Sequence, residues 1–232
     1  FKVTEIICGS KKYDNICLDK LVDSFDIITR HNMLLSDMGY GKKEATFQVC
    51  NSHVYQHYKN KTEPEELYED YSDHIGLGKW HSKNIKMKHM IAVSKFFKIS
   101  KAKFLNYGEQ NNWPRMLGVI SDYNISHSFS PNAWVMKVGL SHVAECVKNG
   151  VKPFLIGYSL IGKDLNKHAY TKHVKLYDGH DHEGEVELLK KLHNAGLIDA
   201  TLCLIKDESI VSLSDEIEPT EEGLRIIDDN LR

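Results

Sequence analysis

A cationic surplus is missing from this sequence. Lys and Arg number 30 against 32 Asp and Glu, a formal net charge of −2. A general polyanion binder needs a strong basic excess to neutralise phosphates, so no nucleic-acid partner is expected. Cysteine is scarce as well, with five in 232 residues: Cys8, Cys17, Cys50, Cys146 and Cys203. No two of them form CxxC, which argues against a zinc ribbon or a thioredoxin-type centre. Cys8, Cys50 and Cys203 lie in apolar, strand-like runs, where cysteine behaves as a small buried hydrophobe, so a reduced, cytoplasmic setting is expected. No apolar run approaches the ~20 residues needed to span a bilayer, which leaves only a peripheral membrane contact open. No signal-peptide pattern opens the chain, and Phe1 reads as a trimmed start.

Several nucleotide and metal motifs are also missing. There is no Walker-type phosphate loop and no GxGxxG, which weakens a dinucleotide Rossmann reading. No two Asp stand two positions apart, so the DxD pair that holds a divalent ion in many nucleotide-sugar transferases is lacking. His53 and His57 are spaced i, i+4, but no HExxH frame surrounds them. Nothing here requires a metal or a cofactor. There is no internal repeat.

The chain does contain short apolar runs alternating with helical periods. Strands are expected at Val3–Cys8, Phe25–Thr29, Ala45–Cys50, Lys103–Tyr107, Val151–Gly157 and Thr201–Ile205. A short helical period at Leu18, Leu21 and Val22 follows the first. A short helix near Glu63–Glu65 and another over Lys83–Lys98 are expected next. Pro131–Asn149 reads as an amphipathic helix closed by Asn149-Gly150. Val186, Leu188, Leu189, Leu192 and Ala195 make a second one, capped by Gly196, and Pro219–Asp229 a last. This alternation implies one α/β domain over 1–232, Rossmann-like, with a mainly parallel sheet and a small lid at about 158–180.

Ligands of such sheets bind beyond the carboxyl ends of the strands. The residues there are Gly9-Ser10, Arg30-His31-Asn32, Asn51-Ser52 and Gly157-Tyr158. Gly9 would let a backbone approach closely. The amides of Asn32 and Asn51 can read a base or ribose through donor and acceptor, or simply close an Asx turn. Ser130 is placed to cap the Pro131 helix.

Four blocks carry a likeness to a known family: IICGS at the first strand, FDIITRHN, GKKEATFQVCNSHVYQHY from Gly41 to Tyr58, and VGLSHVAECVKNGVKPFLIG joined to HDHEGEVELLKKL. In this order they resemble the bacterial sialyltransferases of glycosyltransferase family 42, the lipooligosaccharide type, which use a CMP-linked donor. The likeness covers about half the chain. The first turn departs from the family's Asn-Gly-Pro-Ser, the stretch between Gly157 and His180 is shorter than the family's lid, and Gly157-Tyr158-Ser159 replaces Gly-Ile-Asp or Gly-Phe-Asp.

The resemblance implies a GT-A-like variant fold and inverting transfer of an acidic sugar from CMP to a glycan. His180 falls on the family's base, with Glu185 five residues on at the start of a helix. His182 has an acid at the same spacing, Glu187, and only the apolar register of Val186, Leu188, Leu189 and Leu192 favours His180. A His near its ordinary pKa suits deprotonation of a hydroxyl. Tyr170 and Tyr177 would bond the donor phosphate. Gly9, Ser10, Asn32, Asn51, Ser128, Ser130, Gly157 and Tyr158 would line the CMP-sugar site. Sialic acid is the first choice of sugar and Kdo the second. A non-catalytic nucleotide- or sugar-binding module of the same fold is the rival from another class. A small methyltransferase is disfavoured because strand one lacks its glycine-rich turn. Self-association is compatible with the chain.

Overall fold

The protein is described by a computed structural model that places residues 3–9, 11–31, 34, 39–50, 103–106, 112–133, 136–160, 179–207, 211 and 216–231. The expected helices near 63 and 83, and most of the lid segment, lie outside the described residues. Among those described, five strands form one sheet: β1 Glu5–Cys8, β2 Ile27–His31, β3 Phe47–Cys50, β4 Lys103–Asn106 and β5 Phe154–Ile156. Their order is β4-β3-β2-β1-β5 and all four pairings are parallel. The helices are α1 Asp19–Asp23, α2 Asn112–Asp122, α3 Val138–Lys148, α4 His182–Asn194 and α5 Glu221–Leu231. This is a Rossmann-like α/β domain. No helix among the described residues is long and apolar enough to cross a membrane.

Alternation along the strands sorts the core. Side chains two apart share a face, so Ile7 and Leu155 join Leu140, Val143, Leu188 and Leu192 of α3 and α4. Ile6, Cys8, Phe154 and Ile156 face the other way, toward Leu21 and Val22 of α1 and Ile227 of α5. Both faces are covered, which is why the strands read as continuous apolar runs rather than alternating ones.

Three expectations need correction. The sixth strand, Thr201–Ile205, is instead a 3-10 turn over Thr201–Leu204. Just before it the chain makes an isolated parallel bridge to the sheet between Phe154 and Asp199, and Cys203 Sγ donates to the Leu155 carbonyl at 3.2 Å. Asp199 then accepts the N–H of Thr201 at 2.9 Å, an Asx turn that curls the backbone out of extended geometry.

The helix expected from Pro131 begins only at Val138. In a longer helix the N–H of Lys137 would bond the Ala133 carbonyl; here it donates to Glu185 Oε1 at 3.1 Å. Ser130 is therefore not its cap. The second strand starts at Ile27 rather than Phe25, because Phe25 N–H still bonds Val22 in the turn leaving α1. Arg30 and His31, expected beyond that strand, lie within it. Arg30 is buried and donates to the Tyr40 carbonyl.

Asp199 is 1% exposed and also accepts the hydroxyl of Thr220, which leads into α5. Thr201 Oγ1 in turn accepts Thr220 N–H at 2.9 Å. Asp199→Ala should cost about 2–4 kcal/mol, because two buried donors lose their acceptor, and Asp199→Asn should cost less. Urea unfolding midpoints of the three proteins check this.

Candidate functional site at the carboxyl edge of the sheet

The chain runs outward from β1 to β4 and returns on the other side of β1, so the switch point lies between β1 and β5. Gly9 and Gly157 sit there, each just past its strand. Gly9 N–H donates to the Ile156 carbonyl at 2.8 Å, and Lys11 N–H to that of Gly157 at 3.0 Å. A Cβ on Gly9 would stand 2.6 Å from the Gly157 oxygen, and one on Gly157 would meet the Gly9 carbonyl. Gly157 also has φ +74°, a conformation suited to glycine. The close approach that requires glycine here is thus between the two strand ends.

Tyr158 follows directly and reaches over β1 to β2, where its hydroxyl lies 3.1 Å from His31 Nε2. A side chain on Gly139 would collide with both, so Gly139 lets the first turn of α3 close over the pair. Burial, with a smaller push from His142, drives His31 down to about 3, which keeps its ring neutral throughout the physiological range.

Two residues before Gly139, Lys137 meets the start of α4. Glu185, in the first turn of α4, is 2% exposed. Its Oε1 takes the Lys137 N–H, and its Oε2 lies 3.5 Å from Lys137 Nζ. Burial dominates over that cation, and the carboxyl is raised from 4.5 to about 7. His180 Nδ1 stands 3.8 Å from Glu185 Oε1, with the His180 side chain 19% exposed. That is ion-pair range but too long for a hydrogen bond. The His180 and His182 rings meet edge to face at 5.6 Å. Glu187, the acid at equal spacing from His182, bonds Lys190 instead at 3.3 Å. Asp181 caps α4 through Gly184 N–H and accepts Ser130 N–H at 2.6 Å.

The structure therefore brings the sequence-derived residues into two groups. Gly9, Gly157 and Tyr158 meet at the switch point. His180 and Glu185 meet beside α4, with the backbone of Ser130 docked there, and the start of α3 connects the two groups. Ser128 is exposed on the loop between α2 and α3. Ser10, Asn32, Asn51, Tyr170 and Tyr177 lie outside the described residues.

Sequence reasoning missed Lys137, the role of His31 beside Tyr158, and a buried group formed by Glu5, Thr29, His142 and Cys146. The signals for that group were an acid inside an apolar strand and a His-x3-Cys spacing on one helix face. No family model matches the chain, and no curated protein does.

The raised Glu185 pKa has a stability consequence. Between pH 4.5 and about 7 the folded protein holds a proton that the unfolded chain has released, so stability falls as pH rises through that window and levels off above it. The total is roughly 3 kcal/mol at most. Glu185→Gln should remove that slope, which denaturant midpoints of both proteins at pH 5 and pH 8 would measure. An equal slope in the variant would contradict the assignment.

Proposed function

We propose that the chain is an inverting glycosyltransferase that moves an acidic sugar, sialic acid first and Kdo second, from a CMP-linked donor to a hydroxyl of a glycan. The reading extends the resemblance to glycosyltransferase family 42. What supports it most is the placement of His180, partly open to solvent, beside the buried Glu185 at the start of α4.

In the proposed reaction the acceptor oxygen attacks the anomeric carbon from the side opposite the leaving group. The bond from that carbon to the phosphate oxygen breaks, and CMP leaves with the electron pair. The hydroxyl proton passes to His180. Nδ1 is the nitrogen turned toward Glu185, so Nε2 would take it. An ionised Glu185 would then offset the imidazolium charge, which ties the base to a carboxyl titrating near neutrality. Asn32 and Asn51 remain the candidates for reading cytosine, and Tyr170 and Tyr177 for bonding the phosphate. The enzyme would work in the cytoplasm, with no metal at the donor phosphate.

The non-catalytic reading has one observation in its favour. The first turn, where the family's Asn-Gly-Pro-Ser is absent, is tied to the end of β5 by the bond from Lys11 N–H to the Gly157 carbonyl. Release of CMP from CMP-sialic acid or CMP-Kdo excludes a pure binder. Binding of CMP without release would establish one.

Two outcomes are expected. His180→Ala should lose about 10²–10⁴-fold in transfer, the usual share of a general base, with CMP affinity little changed. Glu185→Gln should lose less, and His182→Ala should stay near wild type. Loss in His182→Ala alone would move the base by two residues, and no loss in either His variant would remove the chemical support for the family reading. In thermal-shift measurements CMP should stabilise the protein more than UDP, since a site cut for cytosine leaves a group unpaired against uracil. Equal shifts would count against a CMP donor.

A further inference from the structure

We infer that Glu5, His142 and Cys146 form a binding site for a divalent transition-metal ion of the zinc class, buried between the sheet and α3. Glu5 is the first residue of β1, while His142 and Cys146 lie one turn apart on α3, on the face toward the sheet. All three residues are 5–6% exposed. His142 Nε2 lies 2.8 Å from Glu5 Oε1, Cys146 Sγ 3.6 Å from Glu5 Oε2, and Cys146 Sγ 3.6 Å from His142 Nε2. All three ligand atoms lie within 4.8 Å of one another.

These spacings suit a tetrahedral ion. Bonds of about 2.3 Å to sulfur and 2.0–2.1 Å to nitrogen or oxygen put sulfur about 3.5 Å from its neighbours. The two sulfur distances already match. The nitrogen–oxygen pair would have to open by about 0.5 Å to reach its tetrahedral spacing. The two oxygens of a carboxylate are too close together to take two tetrahedral positions, so Glu5 counts as one ligand and a small molecule such as water would take the fourth position.

Charge points the same way. A carboxylate and a thiolate together carry two negative charges, and a divalent ion makes the buried site neutral, whereas an unmetallated site must rely on His142. Burial, reinforced by the neighbouring Glu5, pushes the Cys146 thiol up, so the ion must displace its proton, as metals do with coordinating thiols. Burial alone would also raise Glu5, but hydrogen bonding and attraction to His142 hold it below its ordinary value. Thiolate with imidazole selects zinc-like ions over magnesium or calcium. Thr29 donates its hydroxyl to Glu5 Oε1 at 2.8 Å, the outer contact that orients a ligating carboxylate.

The test uses the full chain with Cys17→Ser, which removes an exposed thiol, stripped by a chelator and titrated with Co²⁺. One equivalent should bind, with a thiolate-to-cobalt charge-transfer band and tetrahedral visible bands that Zn²⁺ then bleaches. Cys146→Ser should lose the charge-transfer band and Cys203→Ser should keep it. Thr29→Val should keep the band while weakening affinity about 10–100-fold. Absence of the band in the parent protein, or its survival in Cys146→Ser, would overturn the site and leave a hydrogen-bonded core cluster. Should Cys146→Ser not fold, the parent titration and Cys203→Ser decide. No glycosyl transfer is read, so the outcome is independent of the proposed reaction.

Discussion

Glu185 is a carboxylate almost without access to water, and its position depends on what it receives there. An acid in the first turn of a helix is favoured by the helix dipole, but a buried one still needs donors. Lys137 supplies one donor, its N–H to Oε1, and its ammonium lies 3.5 Å from Oε2 as an ion pair without a hydrogen bond. Asp181, four residues earlier, takes the N–H of Ser130. Two carboxylates from the start of α4 therefore grip both ends of the 130–137 segment, whose described residues include a turn at 131–132 and no helix. Because the segment is gripped, α3 begins late. Because α3 begins late, Gly139 falls over His31 and Tyr158, and the amino ends of α3 and α4 converge beside His180.

The face of the sheet under α3 carries an unusual load of polar groups. Register pairs Ile7 of β1 with Thr29 of β2, and along the same face follow Glu5, His31, His142 and Cys146. Among the described residues the opposite face holds aliphatic and aromatic side chains, with Arg30 and Gln48 as buried polar exceptions, each bonded to a carbonyl. An apolar trio at Glu5, His142 and Cys146 would pack as well and would avoid the desolvation cost of a buried charge. A metal ion gives that polar cluster a reason to exist. It would also pin the second turn of the helix whose first turn reaches the carboxyl edge.

Much of the fold was legible because its signals are local. The five strands are apolar runs of β-formers bounded by turn residues, and α4 and α5 show clean helical periods. Two of the misreadings share a cause: a side chain distant in sequence, or two positions away, captured a backbone group. Glu185 captured Lys137, forty-eight residues earlier, and no periodicity at 131–149 records that. Asp199 captured Thr201 and turned an apolar run into a 3-10 turn. The α2 helix escaped notice because Pro114 and Gly118 lie within its eleven residues. Pro114 falls in the first turn, where a missing N–H costs nothing. The placement of His180 beside Glu185 came from the family resemblance, since the spacing alone fitted His182 and Glu187 equally well. The Glu5, His142 and Cys146 group was not legible, since β1 and α3 meet across 137 residues.

Glu5 and Glu185 show how one fold can give two buried acids different work. Glu5 lies under α3 and Glu185 in the first turn of α4; both are nearly inaccessible, and burial alone would raise both. Glu5 has close partners, an imidazole and a hydroxyl each 2.8 Å away, and these reverse the effect of burial. Glu185 has a lysine at 3.5 Å whose side chain is one-third exposed, so the cation is partly screened and burial prevails. The first acid is held as an anion across the physiological range, which suits a ligand or a structural counter-charge. The second gains and loses its proton near pH 7 beside a histidine that reaches solvent. Environments that push two like groups apart in this way separate proton-exchanging residues from fixed ones. On that criterion the edge at α4, rather than the polar core under α3, suits the proposed proton transfer.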